Sequence, residues 1–453
     1  MTSRRGRLPL PGALPVLGHA ARLLRDPLGF MERTRDSGPV VRLLLGRRQC
    51  FLITDAEAAT RVLAAEQQSF DKGGPFMEAA RLLVGNGVIT CGNDDHRRQR
   101  PVVAPAFHRR QVAAHGGVML GCAVEATALW ESGREVDLDG AMYRLAASVV
   151  SRTLVSAPAG RQAAEVMASA LPQLLRGLLR RMLLPVPWVH RAPTPANRRF
   201  ARSCAALEEA IGGAIRHYRG AEEERDDLLS RIIAGDPASG RRPDDREVRD
   251  QVMSILAAGV ETTATLLTWT FHLLARNPEA ERRLWAEVDA VLAGRPASFD
   301  DLARLPYAKR VLTEVLRLYP PTWMLSRVTV ADTTIAGTTL PRGTDVVISP
   351  YALQRDPAVF PDPDTFDPDR WLPERVTGRQ KQAFLAFGAG RRRCMGELFG
   401  MAEATIALAT ISGTWNLRPA RPGPLRPVPR FLLVPAAQPM LPHRRHPGGE
   451  NHG

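Results

Sequence analysis

Apolar residues recur with a helical period along most of the chain, and the longest such segment lies just past the middle. The segment DDREVRDQVMSILAAGVETTATLLTWTFHLLARNP is apolar on nearly every face from Val252 to Leu274. Asp244 or Asp245 can cap its start and an Asn-Pro pair ends it, so the pattern predicts a helix of about thirty residues, about 45 Å long. Because this helix is apolar all round, we expect it to be buried at the centre of the fold.

Shorter patterns surround this helix. Residues 39–54 predict two strands around a Gly-Arg-Arg turn, and residues 95–235 predict amphipathic helices separated by Pro and Gly. Residues 326–349 predict short strands with hairpin-like turns, and residues 355–385 form a Pro- and Asp-rich stretch that we call the meander. A further helix is predicted over residues 395–415. The pattern therefore predicts a mainly α protein with small β-sheets, an α+β fold.

Length and composition bound the domain organisation. The chain has 453 residues, of which 44% are hydrophobic and 24% charged, which is typical of a globular protein with a large core. It has no internal repeat and no long linker, so we expect one domain over residues 1–442. We expect residues 443–453 to be a disordered tail, although His443 and His446 in it have the spacing of metal ligands.

The chain is strongly basic, with a formal net charge of +14. Such a charge is typical of proteins that bind nucleic acid or an acidic protein partner. However, acidic residues are interleaved with the basic ones, and only three of the 61 basic residues are lysines. This pattern argues against a dedicated nucleic-acid-binding arm.

The cysteines and the apolar segments indicate the cellular environment. The five cysteines are Cys50, Cys91, Cys122, Cys204 and Cys394. Their number is odd and no CxxC pair occurs, so neither a disulfide framework nor a zinc site is indicated. The N-terminal apolar stretch is broken by Pro and Gly, and no other apolar run has the length of a membrane span. We therefore expect a soluble, cytoplasmic protein without a membrane anchor.

The stretch FGAGRRRCMG, which we call the cysteine loop, sets a cysteine between two glycines and behind three arginines. Positive charge, backbone N–H donors and a helix N-terminus all favour a thiolate that binds a metal. The positions that specify the pattern are Phe387, Gly390, Arg392, Cys394 and Gly396. At these offsets they resemble the haem-binding signature of the haem-thiolate monooxygenases, the cytochrome P-450 family. The resemblance implies the fold of that family, with haem b between the long central helix and the cysteine loop.

The resemblance also implies roles for single residues around the haem. Cys394 would be the axial iron ligand, and Phe387 would shield its sulfur. The residues that would bind the haem propionates are Arg392, His96, Arg100 and Arg327. Of these, His96 and Arg100 are spaced i, i+4 in the segment DDHRRQRPVVAPAF and so share one helix face. Without the haem motif, this segment would be interpreted as a basic, solvated helix start.

The middle of the long helix contains the sequence AAGVETT. Gly259 allows close approach, and the Thr262 hydroxyl can bond to the carbonyl of Ala258 four residues earlier, which bends or opens the helix. In isolation this stretch indicates a helix-packing glycine. The resemblance implies an oxygen-activation groove, in which Ala258 and Gly259 make room for O2 while Glu261 and Thr262 form an acid–alcohol pair that guides protons. A buried Glu261 costs free energy unless it is paired or hydrated, which favours a function over packing.

A second motif of the family lies in the sequence TEVLRLYPP, where Glu314 and Arg317 are spaced i, i+3 on one helix. Surface pairs with this spacing are common and worth only tenths of a kcal/mol. The sequence FDPDRW supplies Arg370 between this helix and the cysteine loop. By resemblance, these three residues form a buried structural network around the haem and have no catalytic role.

Apolar residues dominate the stretches where the resemblance places the substrate. The residues expected to line this cavity are Phe76, Met77, Trp323, Met324 and Leu325. Such a cavity is adaptable and has few polar anchors, so an apolar substrate follows. The segments YALQRDP, FDPDRWLPER and PTPANRRF resemble the corresponding segments of actinobacterial family members that oxidise sesquiterpenes of the pentalenene type. We therefore expect hydroxylation of a terpene; the alternatives are a fatty-acid or polyketide hydroxylase, a peroxide-driven peroxygenase and a haem-binding sensor.

The electron donor must be a separate protein, because no flavin or iron–sulfur domain fits in the chain. We expect ferredoxin and ferredoxin reductase to supply the electrons. Arg391 and Arg393 are the predicted docking residues for an acidic ferredoxin, which gives part of the positive charge a function. We expect the enzyme to be a monomer.

Overall fold

The computed structural model describes residues 10–46, 48–155, 187–220, 227–235 and 240–445, together with residues 166, 170, 174, 177, 178 and 181. The chain forms two compact units, each made of two stretches of sequence. The first unit comprises Met1–Glu78 and Leu316–Cys394, and the second comprises Ala79–Val315 and Met395–Gly453. One domain over residues 1–442 stays a prediction.

The described helices and strands follow one another in this order. The helices are α1 (Ala20–Arg25), α2 (Pro27–Thr34), α3 (Ala56–Thr60), α4 (Pro75–Val84), α5 (Asn93–Val103), α6 (Arg109–Ala114), α7 (Gly116–Thr127), α8 (Leu138–Leu154), α9 (Pro187–Arg191), α10 (Pro195–Gly220), α11 (Leu228–Ala234), α12 (Asp245–Leu274), α13 (Pro278–Leu292), α14 (Pro306–Leu318), α15 (Pro350–Leu353), α16 (Gly378–Ala383) and α17 (Glu397–Thr414). The strands are β1 (Val40–Leu45), β2 (Arg48–Ile53), β3 (Phe70–Asp71), β4 (Leu325–Thr329), β5 (Thr333–Ile335), β6 (Thr338–Leu340), β7 (Asp345–Ile348), β8 (Trp415–Pro419), β9 (Pro427–Pro429), β10 (Leu433–Pro435) and β11 (Met440–Arg444). The predicted α+β class is confirmed.

The first unit is built on a sheet whose described strands run in the order β1-β2-β7-β4-β3. Strands β2 and β7 are parallel, whereas the other neighbouring pairs are antiparallel. Strands β5 and β6 form a separate antiparallel pair. The predicted strands in residues 39–54 and 326–349 are therefore confirmed.

The core of the first unit lies against this sheet. Val346 and Ile348, at alternate positions of β7, point to the same face and are fully buried. Leu385 belongs to the same hydrophobic cluster, and Ala389 packs against it. Because Leu385 precedes the cysteine loop by two residues, the core holds the chain that leads into that loop.

The long helix α12 is the centre of the second unit, as predicted. The Asp244 side chain accepts a hydrogen bond from the Glu247 backbone N–H at 2.8 Å, and the Glu247 carboxylate accepts one from the Asp244 N–H, which completes a capping box. From Val248 to Leu274 most residues are buried, and α12 packs on α8, α10 and α17. Among the described residues, α12 alone has the length and hydropathy of a membrane span, but 72% of that window is buried inside the protein, which is typical of a core helix.

The C-terminal end of the described chain is a strand. β11 pairs with β8 in an antiparallel register that sets His443 opposite Asn416. Arg445 follows and forms an ion pair of 2.8 Å with Asp289. Most of the predicted disordered tail, including His446, lies outside the described residues.

A buried carboxyl group lies between two helices of the second unit. Glu403 of α17 is 1% exposed, and Thr263 of α12 is its hydroxyl neighbour. Burial raises the pKa of the Glu403 carboxyl well above its usual range, and the Thr263 hydroxyl opposes this shift. The folded protein therefore favours the protonated form of Glu403.

We predict that Glu403→Gln changes the pH dependence of stability. A raised pKa in the folded state means that the stabilisation from the bound proton is complete below the unfolded pKa, about 4.3, and is lost as the pH rises toward the folded pKa. The neutral amide carries no such penalty, so the free energy of unfolding of the variant relative to the natural protein should increase from pH 4 to pH 8. Urea unfolding of the haem-loaded proteins measures this.

Glu135→Gln, the same chemical change at an exposed glutamate, is the control. A pH dependence for Glu403→Gln no larger than that for Glu135→Gln would contradict the protonated state.

Candidate active site

The cysteine loop has a tight backbone that only glycine permits at two positions. Gly388 and Gly390 have φ angles of 67° and 68°, in the left-handed region. A Cβ atom at Gly390 would also overlap the carbonyl oxygen of Leu63. The Cys394 N–H donates to the Phe387 carbonyl at 2.9 Å and so closes the loop. The geometry therefore explains the glycines at positions 388 and 390, whereas Gly396 has an ordinary negative φ of −85°.

The five cysteines differ sharply in their surroundings. Burial raises the pKa of Cys50 and of Cys122 to about 12, so neither thiol ionises readily. Cys91 is also buried and Cys204 is partly buried, whereas Cys394 is exposed. Within the described residues, no group of three His, Cys, Asp or Glu side chains could hold a metal ion. Of the five cysteines, Cys394 is the one that lies at the surface, where a thiolate can ligate a haem iron.

Two arginines of the first unit meet around one carboxylate. An Nη atom of Arg392 lies 3.2 Å from Oδ1 of Asp71, and the Arg392 side chain is only 8% exposed. Arg327 is buried and donates to the Ser326 carbonyl at 2.8 Å. Burial and the neighbouring Arg392 lower the pKa of Arg327 to about 10, while Asp71 opposes the shift. A further anion would relieve the repulsion between the two guanidinium groups, so the pair fits a haem propionate.

Aromatic rings connect the meander to the cysteine loop. Phe360 lies against Trp371 at 6.3 Å between ring centroids, and Trp371 packs edge-on against Phe384 at 5.0 Å. Phe384 in turn contacts Phe387 at 6.4 Å. The Arg317 guanidinium lies over Phe360, 5.4 Å from the ring centroid. Phe387 is therefore held from the meander side.

The predicted structural arginines bind backbone carbonyls of the meander region. Arg317 is fully buried and donates to the carbonyls of Gln354, Pro363 and Thr365, at 3.0, 2.6 and 3.1 Å. Glu314 precedes it by one turn of α14 and is also fully buried. The ion pairs predicted among the three network residues stay a prediction.

Arg370, the third network residue, donates to the carbonyls of Pro361 and Asp362, at 2.8 and 3.3 Å. Both arginines thereby satisfy carbonyl oxygens that the irregular backbone leaves without helix or sheet partners.

Sequence reasoning missed Gln354 as a structural residue. Its fully buried side chain donates to the carbonyls of Leu316 and Arg317, both at 2.9 Å, and accepts from the Leu385 N–H at 2.8 Å. One amide thus joins the end of α14 to the chain that enters the cysteine loop. Asp71 was also missed, because neither a single Gln nor a single Asp has a sequence signal of this kind.

In the second unit, the AAGVETT stretch forms a continuous part of α12. The Thr262 hydroxyl donates to the Ala258 carbonyl at 2.6 Å, which confirms the predicted backbone contact. Ala258 is exposed, although most residues of α12 are buried. A Cβ atom at Gly259 would lie 2.9 Å from a methyl group of Val150 on α8. The close packing against Val150 therefore explains why glycine occupies position 259. The role of Gly259 toward O2 stays a prediction.

Glu261 occupies an environment that suits proton transfer near neutral pH. Burial raises the pKa of its carboxyl to about 7, and Arg430 opposes this shift. A group with such a pKa can both hold and release a proton at the pH of the cell. This is the acid that sequence reasoning selected from the cost of burying a glutamate.

The basic residues of helix α5 lie on two faces that differ in solvent exposure, as their spacing predicts. His96 is 5% exposed and Arg100 is partly buried. Arg97 and Arg98 are exposed and form ion pairs with acidic residues one turn earlier on the same helix. His96 and Arg100 thus share the face of α5 that is shielded from solvent.

The predicted substrate residues lie in the first unit. Phe76 and Met77 begin α4, and Trp323 and Met324 lead into β4, which begins at Leu325. Met77 and Trp323 are buried, and the other three are partly buried. The stretch with Phe76 and Met77 follows β3, and the stretch with Trp323 and Met324 leads into β4, the strand that pairs with β3.

The structure thus groups the predicted residues in two sets. The first unit contains Cys394, Phe387, Arg392, Arg327 and the expected substrate residues. The second contains His96, Arg100, Ala258, Gly259, Glu261 and Thr262.

Comparisons with known proteins agree with the motif. A protein-family model described as Cytochrome P450 matches residues 8–441. The chain is 43% identical over 438 residues to cyclooctatin synthase of Streptomyces melanosporofaciens, covering 96% of this chain and 95% of that protein. It is 42% identical over 418 residues to pentalenene oxygenase of Streptomyces avermitilis, covering 92% and 93%. The crystal structure of the cytochrome P450DA heme domain matches with a TM-score of 0.87 and 26% identity, covering 97% of this chain and 98% of that chain.

We predict that Gly259→Ala is destabilising and that Val150→Ala relieves the effect. The new methyl group would overpack the α8–α12 contact, and this cost should exceed the gain in helix propensity, for a net loss of about 1 kcal/mol. A double-mutant cycle with chemical unfolding measures the coupling between the two positions. Gly121→Ala on α7 is the control, because no atom lies within 4 Å of a Cβ there. Stabilisation by Gly259→Ala equal to that of Gly121→Ala would show that the close contact does not constrain the helices.

Proposed function

The chain belongs to the cytochrome P450 family, and from this premise we propose that Cys394 binds the haem iron and that the enzyme oxidises a cyclic terpene. The predicted family, fold class, haem-thiolate cofactor and monooxygenase activity are confirmed by the match over residues 8–441 and by the relatives. The residue assignments and the substrate are our proposals. The observation that carries them is the exposed cysteine in its glycine-closed, arginine-rich loop.

The residues around the cysteine loop would hold the cofactor. When bound, haem supplies the iron centre at which O2 is reduced and one oxygen atom is transferred to a C–H bond. Cys394 would ligate the iron with its thiolate. Arg392 and Arg327 would bind a propionate with the surplus of positive charge beside Asp71. His96 and Arg100 of α5 are the other proposed propionate ligands.

Glu261 and Thr262 would hold and pass on the protons that the oxygen chemistry needs. The Thr262 hydroxyl donates its own proton to the Ala258 carbonyl, so its oxygen remains available as an acceptor. Glu261, with its pKa of about 7, can receive a proton from solvent and pass it on without a large energetic cost. This pair supports a mechanism that uses O2 and electrons, in preference to one driven by peroxide.

The apolar side chains and the relatives both support a terpene substrate. Cyclooctat-9-en-7-ol 5-monooxygenase of Streptomyces melanosporofaciens is a further relative, 40% identical over 410 residues and covering 90% of this chain and 89% of that protein. Its name and that of pentalenene oxygenase refer to cyclic terpene substrates. Phe76, Met77, Trp323, Met324 and Leu325 would provide an apolar wall without a polar anchor, which suits a hydrocarbon. Fatty acids and polyketides are the competing substrates.

We predict that cyclic terpene hydrocarbons shift the haem iron from low to high spin, because an apolar ligand displaces water without replacing its hydrogen bonds. Absorption titration with a panel of cyclic sesquiterpenes and diterpenes, a fatty acid and a macrolactone measures this. The reduced CO-bound spectrum verifies that each preparation has thiolate-ligated haem. A response confined to the fatty acid or the macrolactone would exclude the terpene assignment.

The electron donor is proposed to be an acidic ferredoxin that docks beside the cysteine loop. Arg391 and Arg393 are exposed there. The backbone N–H of Arg391 is held by the Gln67 side chain at 2.8 Å, so the charge is presented from an ordered backbone. Complementary charge of this kind mainly accelerates association. The monomeric state, the cytoplasmic location and the absence of a membrane anchor also stay predictions.

We predict that Arg391→Glu raises the KM for ferredoxin roughly 10-fold at low ionic strength, because it reverses a charge in the docking surface. Arg342→Glu is the matched control, since Arg342 is exposed in the same unit and the change in net charge is identical. Steady-state turnover against ferredoxin concentration, at low and high salt, measures both. Equal KM values for the two variants would rule out docking at Arg391.

A further inference from the structure

The loop that joins α4 to α5, residues 85–92, lies directly on the first half of α12. A Cβ atom at Gly85 would overlap the Asp250 carboxylate. A Cβ atom at Gly87 would overlap the backbone carbonyl of Asp250 and the hydroxyl of Ser254. Both α12 residues are buried, with 5% and 0% of their surface exposed. The two glycines therefore allow a contact between the loop and α12 that a side chain would prevent.

Two side chains of α12 hold this loop by its backbone. The Asp250 carboxylate accepts a hydrogen bond from the Asn86 N–H at 2.8 Å. The side-chain oxygen of Gln251 accepts one from the Val88 N–H at 3.1 Å. Both acceptor side chains are buried, and a buried polar group that loses its partner is costly. The two hydrogen bonds therefore fix the position of the loop on α12.

The same loop is bonded to the first two turns of α5. The Asn86 side-chain amide donates to the Asp95 carboxylate at 2.8 Å, and the Gln99 side-chain amide donates to the Asn86 carbonyl at 2.9 Å. Asp95 and Gln99 are spaced i, i+4 and so lie on one face of the helix. Because both bonds end on Asn86, they hold this face toward the loop and fix the rotation of α5 about its axis.

The rotation of α5 determines where its neighbouring face points. His96 and Arg100 each follow one of the bonded residues by a single position, which is about 100° around the helix. They form the shielded face of α5, and they are the proposed propionate ligands of this helix. A residue that fixes the loop therefore also fixes the direction of these two side chains.

Asp250 also belongs to a chain of ion pairs that leads away from the loop. One Nη atom of Arg249 lies 2.7 Å from the Asp250 carboxylate, and the other lies 2.7 Å from the carboxylate of Glu208 on α10. Glu208 is exposed. The ion pair of Arg249 with Glu208 can therefore be broken without removing the acceptor of the Asn86 N–H.

We propose that Asp250 is a positioning residue that, through Asn86, orients the haem-binding face of α5. The inference rests on the proposed function, because His96 and Arg100 of that face are the proposed propionate ligands. In this role Asp250 acts on haem binding through the loop and the helix. Haem retention then depends on a hydrogen bond between α12 and a backbone amide of the loop.

The first test measures the rate at which ferric haem leaves the loaded protein for an excess of apomyoglobin, followed by absorbance. Asp250→Ala should accelerate haem loss roughly 10-fold, because removing a partner that orients a cofactor ligand typically costs a factor of about 10 to 100. Asp250→Asn keeps an oxygen acceptor for the Asn86 N–H and should restore most of the retention. Glu208→Ala is the control and should lose haem at the natural rate, because it breaks an ion pair of Arg249 and leaves the loop contact intact.

The second test separates positioning from a general loss of stability. In a protein that carries both His96→Ala and Arg100→Ala, the direction of the α5 face no longer affects the haem. Asp250→Ala should therefore change the rate of haem loss less than about 2-fold in this background, whereas a general loss of stability would add its full effect.

Amide hydrogen exchange of the haem-loaded protein locates the change. Asp250→Ala should accelerate exchange across residues 86–99, because the loop and the first turns of α5 lose their contact with α12. Glu208→Ala should leave exchange in these residues unchanged. Natural exchange across residues 86–99 in Asp250→Ala would overturn the route through the loop.

The outcomes of the haem-loss experiments separate the two proposals. If the loss of His96 and Arg100 leaves the rate unchanged, their role as propionate ligands is wrong and the positioning role falls with it. If their loss accelerates the release of haem while Asp250→Ala behaves like Glu208→Ala, the positioning role is overturned and the propionate ligands stand. A full additional effect of Asp250→Ala in the doubly substituted background overturns it as well. Equal rates for Asp250→Asn and Asp250→Ala would show that the hydrogen bond to Asn86 does not orient α5.

Discussion

The burial of one guanidinium group, that of Arg317, organises the loop-rich part of the first unit. A buried cation is costly unless its donors are satisfied, and Arg317 satisfies them on three backbone carbonyls of the meander region. The meander has few apolar residues, so these polar contacts replace a hydrophobic core there. Gln354 continues the network to Leu385, and the aromatic rings continue it to Phe387. The cysteine loop is thus positioned by contacts that begin more than twenty residues before it.

In the second unit the buried ionisable groups are carboxyls, and burial favours their neutral form. Glu261 and Glu403 lie in apolar surroundings that favour their protonated forms. Glu403 is 1% exposed, whereas Glu261 is only partly buried and Arg430 lowers the pKa of its carboxyl. The same physical cost of burial therefore yields a structural acid in one place and a group suited to proton exchange in the other. Access to charged neighbours and to water, more than the type of side chain, distinguishes the two.

The sequence identifies the family through specific motifs, whereas substrate recognition depends on less specific apolar contacts. Haem ligation and oxygen activation need particular residues at particular backbone positions, so they leave short, specific motifs. Recognition of a hydrocarbon needs only apolar surface of the right shape, and many combinations of Phe, Met, Trp and Leu provide it. The terpene proposal accordingly rests on relatives with high coverage and on the apolar character of the predicted cavity residues.

The sequence alone was enough to predict the α+β class, the long buried helix, the Thr262 contact with Ala258 and the haem-thiolate family. These features depend on local periodicity and on residues close together in the chain. The tertiary structure was needed to show that Asp71 pairs with Arg392, that Gln354 links α14 to Leu385, that Gly259 meets Val150 and that Arg430 lowers the pKa of Glu261. These partners are far apart in sequence, and a single polar or small residue has no periodic signal, so only the packing of distant segments reveals them.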